Sequence, residues 1–324
     1  MFFLVYFDPT VIDRAAREGE CGMALLVAIL RGMQQNCFFA DFANEDVTQE
    51  MADRVRALPE EYTRKGIKSA LARLVKENRC VPCLEYDTDP SAAYVDLARS
   101  QGQAVGLAVA VVEPTSEGDD EKPFEVTDLV GYQYTGFESE RSALSSRGAT
   151  VVPDELDGPT FFNRHFAVAV RHASHIEICD GVFGRKFVSG GDFGFTIGEF
   201  IRWIGKVKAD RDGCTLVIHC EDPDNVNRRH DIEHHLKDVR DKHCGGLMIS
   251  VQYYKNKADP SRCLPHARFL VTDRMALNID RGMDFLVLNT RKTRDVHLAY
   301  MSLAKATEVL ARYSSFRNGT PIQI

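Results

Sequence analysis

Short apolar runs alternate with longer helical segments from the first residues of this chain, and no other feature limits its fold so strongly. FFLVYF, residues 2–7, is a strand-like run ended by Asp8-Pro9. GMALLVAILRGMQQN, residues 22–36, has helical length and is mostly apolar, which predicts a well-buried helix. CFFADF (37–42) predicts the next strand. VTQEMADRVRALP predicts a helix with Thr48 as its cap and Pro59 as its stop, and a further helix reaches about Asn78. CVPCLEY (80–86), a helix over SAAYVDLARSQ and the run AVGLAVAVV (104–112) complete the series. Strands separated by helices pair mainly in parallel, because each return path crosses the sheet through a helix.

The stretch EPTSEGDDEKP (113–123) is acidic, holds Gly and Pro, has no apolar period and reads as a loop or linker. Residues 124–158 carry little signal. The alternation then resumes. A helix near 159–173 leads to the strand HIEICD (175–180) and a glycine-rich loop from Gly181 to Gly194. Thr196 and Glu199 have capping-box spacing before the helix IGEFIRWIGKVK. CTLVIHC (214–220) precedes a polar helix from about Asn225 to His243. GLMISVQYY (246–254), ARFLVTD (267–273) and MALNI (275–279) predict strands, and HLAYMSLAKATEVLARY (297–313) predicts the final helix.

Charge divides the chain the same way. Residues 1–150 hold 15 Lys+Arg against 25 Asp+Glu, a balance of −10; residues 151–324 hold 25 against 22, a balance of +3. All ten histidines lie in the second part, from His165 to His297. Two domains are expected, an acidic, Rossmann-like parallel α/β domain over 1–150 and a second α/β domain over 151–324. MFFLVYFDP lacks a basic leader and its apolar run stops at Asp8, so no signal peptide is expected. No later apolar run reaches the ~18 residues of a transmembrane helix. Nine scattered cysteines, an odd number, favour a reducing, cytoplasmic setting.

The chemistry concentrates in LPHARFLVTDR, residues 264–274. His266 and Arg268 are two apart on a predicted strand and so face one side together. Asp273 follows near the strand end, and RGMDF (281–285) follows a second strand. This spacing, H-x-R-x4-D, resembles the H-x-K-x4-D signature of the phospholipase D superfamily, with arginine in the lysine position. Asp180, at the end of an earlier strand, is similar to an aspartate of such domains. The resemblance spans roughly residues 159–314. It implies a phospholipase D-like α/β domain in which His266 attacks phosphorus, a second histidine protonates the leaving oxygen, and no metal or other cofactor is used. Arg268 would hold the phosphate as a bidentate fork. Asp273, the third member of the motif, reads as fixing the local backbone. Arg281 and Gly282, with Arg185 and Lys186 of the glycine-rich loop, are further candidate phosphate contacts. Gly282-Met283 stands where the family often has Gly-Ser, and Leu286 where it has asparagine, which keeps a binding-only domain in view. A second H-x-K, His235 to Lys237, has Asp241 one residue too early and lies in a helical stretch. One motif per chain implies a composite site in a homodimer.

Three other patterns compete. His230 and His234 have H-x-x-E-H spacing, with His243 and Cys244 nearby, but their stretch is dense in charge of both signs and reads as a solvated helix face. Asp8, Asp41, Asp46 and Asp87 follow predicted strands, where a parallel sheet binds ligands; together they are a candidate Mg²⁺ or Mn²⁺ site. CVPC, Cys80 to Cys83, lacks a second pair for zinc and reads as two buried thiols. The leading expectation is a metal-independent phosphodiesterase acting on nucleic acid, DNA or RNA. The first domain would then serve recognition, dimerisation or regulation by a protein partner. The alternatives are an inactive module that binds nucleic-acid or lipid phosphates, and a metal-dependent nuclease built on the acids of the first domain.

Overall fold

The computed structural model describes residues 2–42, 46–59, 62–83, 92–152, 157–208, 213–223, 225–255, 268–286 and 295–324. The chain forms two compact units, Met1–Ser146 and Arg147–Ile324. Both are mixed α/β.

In the first unit the strands are β1 (Phe3–Phe7), β2 (Cys37–Asp41), β3 (Cys80–Pro82), β4 (Leu107–Val111) and β5 (Glu125–Thr127). They form one sheet in the order β3-β2-β1-β4-β5, and every pairing is parallel. All five residues of β2 are buried, as expected when both faces of a parallel sheet are covered. The helices are α1 (Thr10–Arg17), α2 (Gly19–Met33), α3 (Asp46–Ala57), α4 (Tyr62–Lys76), α5 (Tyr94–Val105) and α6 (Gly136–Arg147). Tyr6, Phe7, Phe38 and Phe42 are almost fully buried, each contributing about 1.5–3 kcal/mol by leaving water. The strand order reverses beside β1, so the crevice between the carboxyl ends of β1 and β4 is the switch point of this sheet. Thr48 lies inside α3 rather than capping it; its hydroxyl reaches Asp41 Oδ2 at 3.1 Å.

The second unit holds β6 (Ala149–Val151), β7 (His175–Cys179), β8 (Thr215–Glu221), β9 (Met248–Tyr254), β10 (Arg268–Thr272), β11 (Ala276–Ile279), β12 (Val296–Met301) and β13 (Ile322–Gln323). They form a sheet in the order β13-β9-β8-β7-β10-β11-β12-β6. β7, β8 and β9 are parallel, and the other pairings are antiparallel. Its helices are α7 (Gly158–Arg171), α8 (Gly181–Lys186), α9 (Asp192–Val207), α10 (Val226–His243) and α11 (Leu303–Tyr313). Phe161, Phe162 and Phe166 of α7 meet Phe200 and Trp203 of α9 and Phe285 in one aromatic cluster. Cys179, Phe269, Val271 and Ala276 pack with Val309, Leu310 and Tyr313 of α11.

Three further local expectations change. Residues 297–301 are strand, not helix. They pair with β11, and α11 begins only after Ser302, whose hydroxyl accepts the Lys305 N–H at 3.2 Å. The glycine-rich segment is largely helical: α8 occupies Gly181–Lys186, and α9 starts at Asp192. Thr196 and Glu199 are therefore inside α9 and form no capping box. The Thr196 hydroxyl instead donates to Leu286 O at 3.1 Å and accepts the Leu286 N–H at 3.2 Å.

Candidate functional site

The antiparallel register of β10 on β7 locates the motif residues. Phe269 pairs with Cys179 and Thr272 with Ile176. Arg268 is thereby brought beside Asp180, while Asp273 lies beside the amino end of β7. At about 3.3 Å per residue the two are roughly 17 Å apart along the strand.

Asp180 is fully buried and anchors the Arg268 end. One carboxylate oxygen caps α8, accepting the N–H groups of Val182 at 3.0 Å and Phe183 at 3.3 Å. The other accepts the Met283 N–H at 2.8 Å. Arg268 Nε lies 3.4 Å from Asp180 Oδ1, and Arg268 Nη1 donates to the Asp280 carbonyl at 3.1 Å. Burial raises the Asp180 carboxyl; the Met283 N–H and the Arg268 charge pull against that rise. The arginine side chain remains 26% exposed.

Gly282 has a physical reason at this point. A Cβ there would lie 2.0 Å from Asp180 Oδ2, closer than any side chain tolerates. The glycine allows the backbone to close on the buried carboxylate, and the following N–H completes it. Arg281, next to it, is half-buried. The same fastening extends through Phe285, whose ring centroid is 4.8 Å from that of Phe161.

Cationic and acidic groups share the carboxyl ends of β7 and β8. Arg185 Nε pairs with the buried Glu221 at 2.6 Å, and the Arg185 carbonyl accepts from Arg228. Lys186 is exposed. Arg229 holds Asp222 through both carboxylate oxygens and lies over the Tyr253 ring, 4.7 Å from its centroid. A Cβ on Gly184 would meet the Glu221 carbonyl at 1.9 Å, so α8 packs against β8 by backbone contact.

Asp273 is a backbone clasp. It accepts the Ser174 hydroxyl at 3.0 Å and the Ser174 N–H at 3.4 Å, and its own N–H donates to the His175 carbonyl at 3.2 Å. His266 and Asp87 lie outside the described residues. His230 and His234 are exposed on α10, with ring centroids 6.3 Å apart. His235, beside them, instead donates from Nε2 to the Gly194 carbonyl, 2.9 Å away, and its burial lowers its basicity. His243 is exposed and Cys244 half-buried.

In the first unit Asp8 sits at the switch point but is engaged internally. It accepts the Tyr6 hydroxyl at 3.0 Å, the Thr10 N–H at 2.8 Å and the Thr10 hydroxyl at 2.5 Å. Asp41 is buried, and Asp46 is exposed at the start of α3. Among the described residues no three His, Cys, Asp or Glu side chains are grouped to hold a metal ion. Cys80 is half-buried, Cys83 is buried, and neither is in a disulfide.

A comparison with protein-family models and with curated proteins finds no match.

One cluster was not singled out from the sequence. Glu177 on β7 meets His175 Nε2 at 2.7 Å and His219 Nε2, on β8, at 2.9 Å. His219 Nδ1 meets the buried Tyr254 hydroxyl at 3.0 Å. Its sequence signal is polar residues at even spacing, 175 and 177, in an otherwise apolar strand, and a lone histidine in the apolar run 216–220.

Among the described residues no helix is long and apolar enough to cross a membrane.

Proposed function

We propose that the second unit is a metal-independent phosphodiesterase acting on nucleic acid, with a phospholipase D-like site completed across a homodimer. The observation that carries this reading is the setting of Arg268. It stands at the carboxyl end of β7, paired with Asp180 and the Asp280 carbonyl, with its side chain partly exposed. In the proposed reaction His266 attacks phosphorus and the ester oxygen leaves. That oxygen takes a proton from the partner's copy of the same histidine. Water then attacks the phosphohistidine and releases it. Arg268 holds the non-bridging oxygens throughout. Arg281, Arg185 and Lys186 extend the anion-binding surface along the backbone of the nucleic acid.

A second reading has its own observation. Arg268 is already paired with a buried carboxylate, and this suits a unit that binds a phosphodiester and does not turn it over. Turnover separates the two. The test is hydrolysis of bis-(p-nitrophenyl) phosphate and of labelled DNA and RNA oligonucleotides in EDTA, for the native chain and His266→Asn, with sedimentation to give the oligomeric state. Cleavage in EDTA by a dimer, lost in His266→Asn while folding and binding persist, supports the enzyme. Binding without cleavage selects the second reading. Cleavage abolished by EDTA and restored by Mn²⁺ moves the chemistry to carboxylates such as Asp8 and Asp41.

A further inference from the structure

The first unit contains a cavity of about 400 Å³ between α3, α4 and the sheet, within the size range of small-molecule sites. Helical periodicity builds its walls. Met51 and Val55 are four apart on α3, and Leu71 and Val75 are four apart on α4, so each pair lies on one face. Phe7 and Phe39, both buried, form part of the lining from the sheet. Val75 is 52% exposed although it faces this apolar space. An apolar wall left open in this way gains stability when an apolar body covers it.

The charge of the lining narrows the ligand. Arg56, Lys68 and Lys76 are the cationic groups among the described lining residues, none of which is acidic, and Arg56 also pairs with Asp53 outside the lining. This happens in a half of the chain where acids exceed bases by ten. Arg56 is in the last turn of α3 and Lys76 is the last residue of α4, while all three cations are exposed. An apolar interior with Lys68 and Lys76 among its described lining is complementary to a molecule with one apolar body and one anionic head.

We propose that this cavity binds an amphipathic monoanion, an alkyl or aryl carboxylate, with its body between α3 and α4 and its head among Lys68, Lys76 and Arg56. The proposal is independent of the phosphodiester reading of the second unit. Its occupant is a small molecule, because the cavity is floored by the sheet and walled by two helices.

The test is isothermal titration of the full chain with decanoate below its micellar concentration, beside decyltrimethylammonium of the same chain length. Saturable one-to-one binding of decanoate, at least about tenfold tighter than the cationic analogue, is expected from the loss of favourable and gain of unfavourable charge contacts. Ala52→Trp, which fills the cavity from α3, should remove binding without lowering the melting temperature. Ala72→Trp does the same from α4 and stands in if the first variant fails to fold. Lys68→Glu with Lys76→Glu should weaken decanoate and spare the cationic analogue. The proposal is overturned by absence of saturable decanoate binding, which leaves the open wall to a protein partner. It is equally overturned by equal affinity for the two analogues, or by binding that survives the cavity-filling variants.

Discussion

His219 Nε2 lies 2.9 Å from Glu177 Oε2, on neighbouring parallel strands and with the histidine almost fully buried. Its Nε2 donates to the carboxylate, and its Nδ1 lies 3.0 Å from the Tyr254 hydroxyl. His175 binds the other oxygen of Glu177. Burial alone would raise the Glu177 carboxyl; the hydrogen bonds and charges of His219 and then His175 outweigh it and hold it at about 2.

The pH dependence follows from that lowered value. Between about 2 and the usual 4.5 the unfolded chain binds a proton that the folded chain does not. Stability from Glu177 is therefore complete above the unfolded value and is lost as pH falls through the folded one, on the order of 3 kcal/mol in all. Urea denaturation at pH 7 and pH 3 should show Glu177→Gln less stable than the native chain at pH 7 and closer to it at pH 3. Parallel stability curves for the two proteins would remove Glu177 from the acid transition.

Gly282→Ala places a methyl group 2.0 Å from Asp180 Oδ2. Relief requires breaking the Met283–Asp180 hydrogen bond or displacing Arg268. The expected loss is about 3 kcal/mol or more, at the upper end for point substitutions. In an Asp180→Ala background the same substitution should cost much less, because the clashing oxygen is gone. Additive effects in that double-mutant cycle would contradict the close approach.

Phe285→Ala removes a fully buried ring that packs on Phe161 and Phe162. A loss of about 3–5 kcal/mol in equilibrium denaturation is expected. A loss below about 1 kcal/mol, the level of an exposed position, would show that this segment does not enter the aromatic cluster.

Arg268→Lys keeps the charge and gives up the planar fork. Affinity for a single-stranded oligonucleotide, read by fluorescence anisotropy at fixed salt, should fall about tenfold, the worth of one charge-assisted hydrogen bond. Lys305→Ala, at an exposed position of α11, is the control and should leave the affinity unchanged. Equal binding by all three proteins would separate Arg268 from phosphate recognition.

Much of the architecture was legible because burial is periodic. FFLVYF, CFFADF and AVGLAVAVV are apolar on both faces, and such runs belong to parallel strands covered on both sides. The polar helix at 226–243 was equally plain, since its dense charge is a local feature. Residues 297–301 misled because HLAYM continues smoothly into a strong helical segment. Its strand conformation comes from pairing with β11, which no local feature of HLAYM announces. Thr196 and Glu199 have the spacing of a capping box, but a cap also needs the chain to leave the helix there, and Gly191 provides that exit.

The sequence by itself determined the alternation of strand and helix, the acidic first half, and the grouping of His266, Arg268 and RGMDF in one short stretch. These are properties of neighbouring residues, and local sterics and hydrophobic periodicity act over such distances. Only the tertiary structure decided which partner each polar group meets. Asp180 and Met283 are 103 positions apart and Glu177 and His219 are 42 apart. Strand register brings them together and sends Arg268 and Asp273, five residues apart in sequence, to opposite ends of β10. The physical reason is that a buried carboxylate must be satisfied by whatever N–H or cation the folded backbone brings to it, and that choice is made by pairing across the sheet.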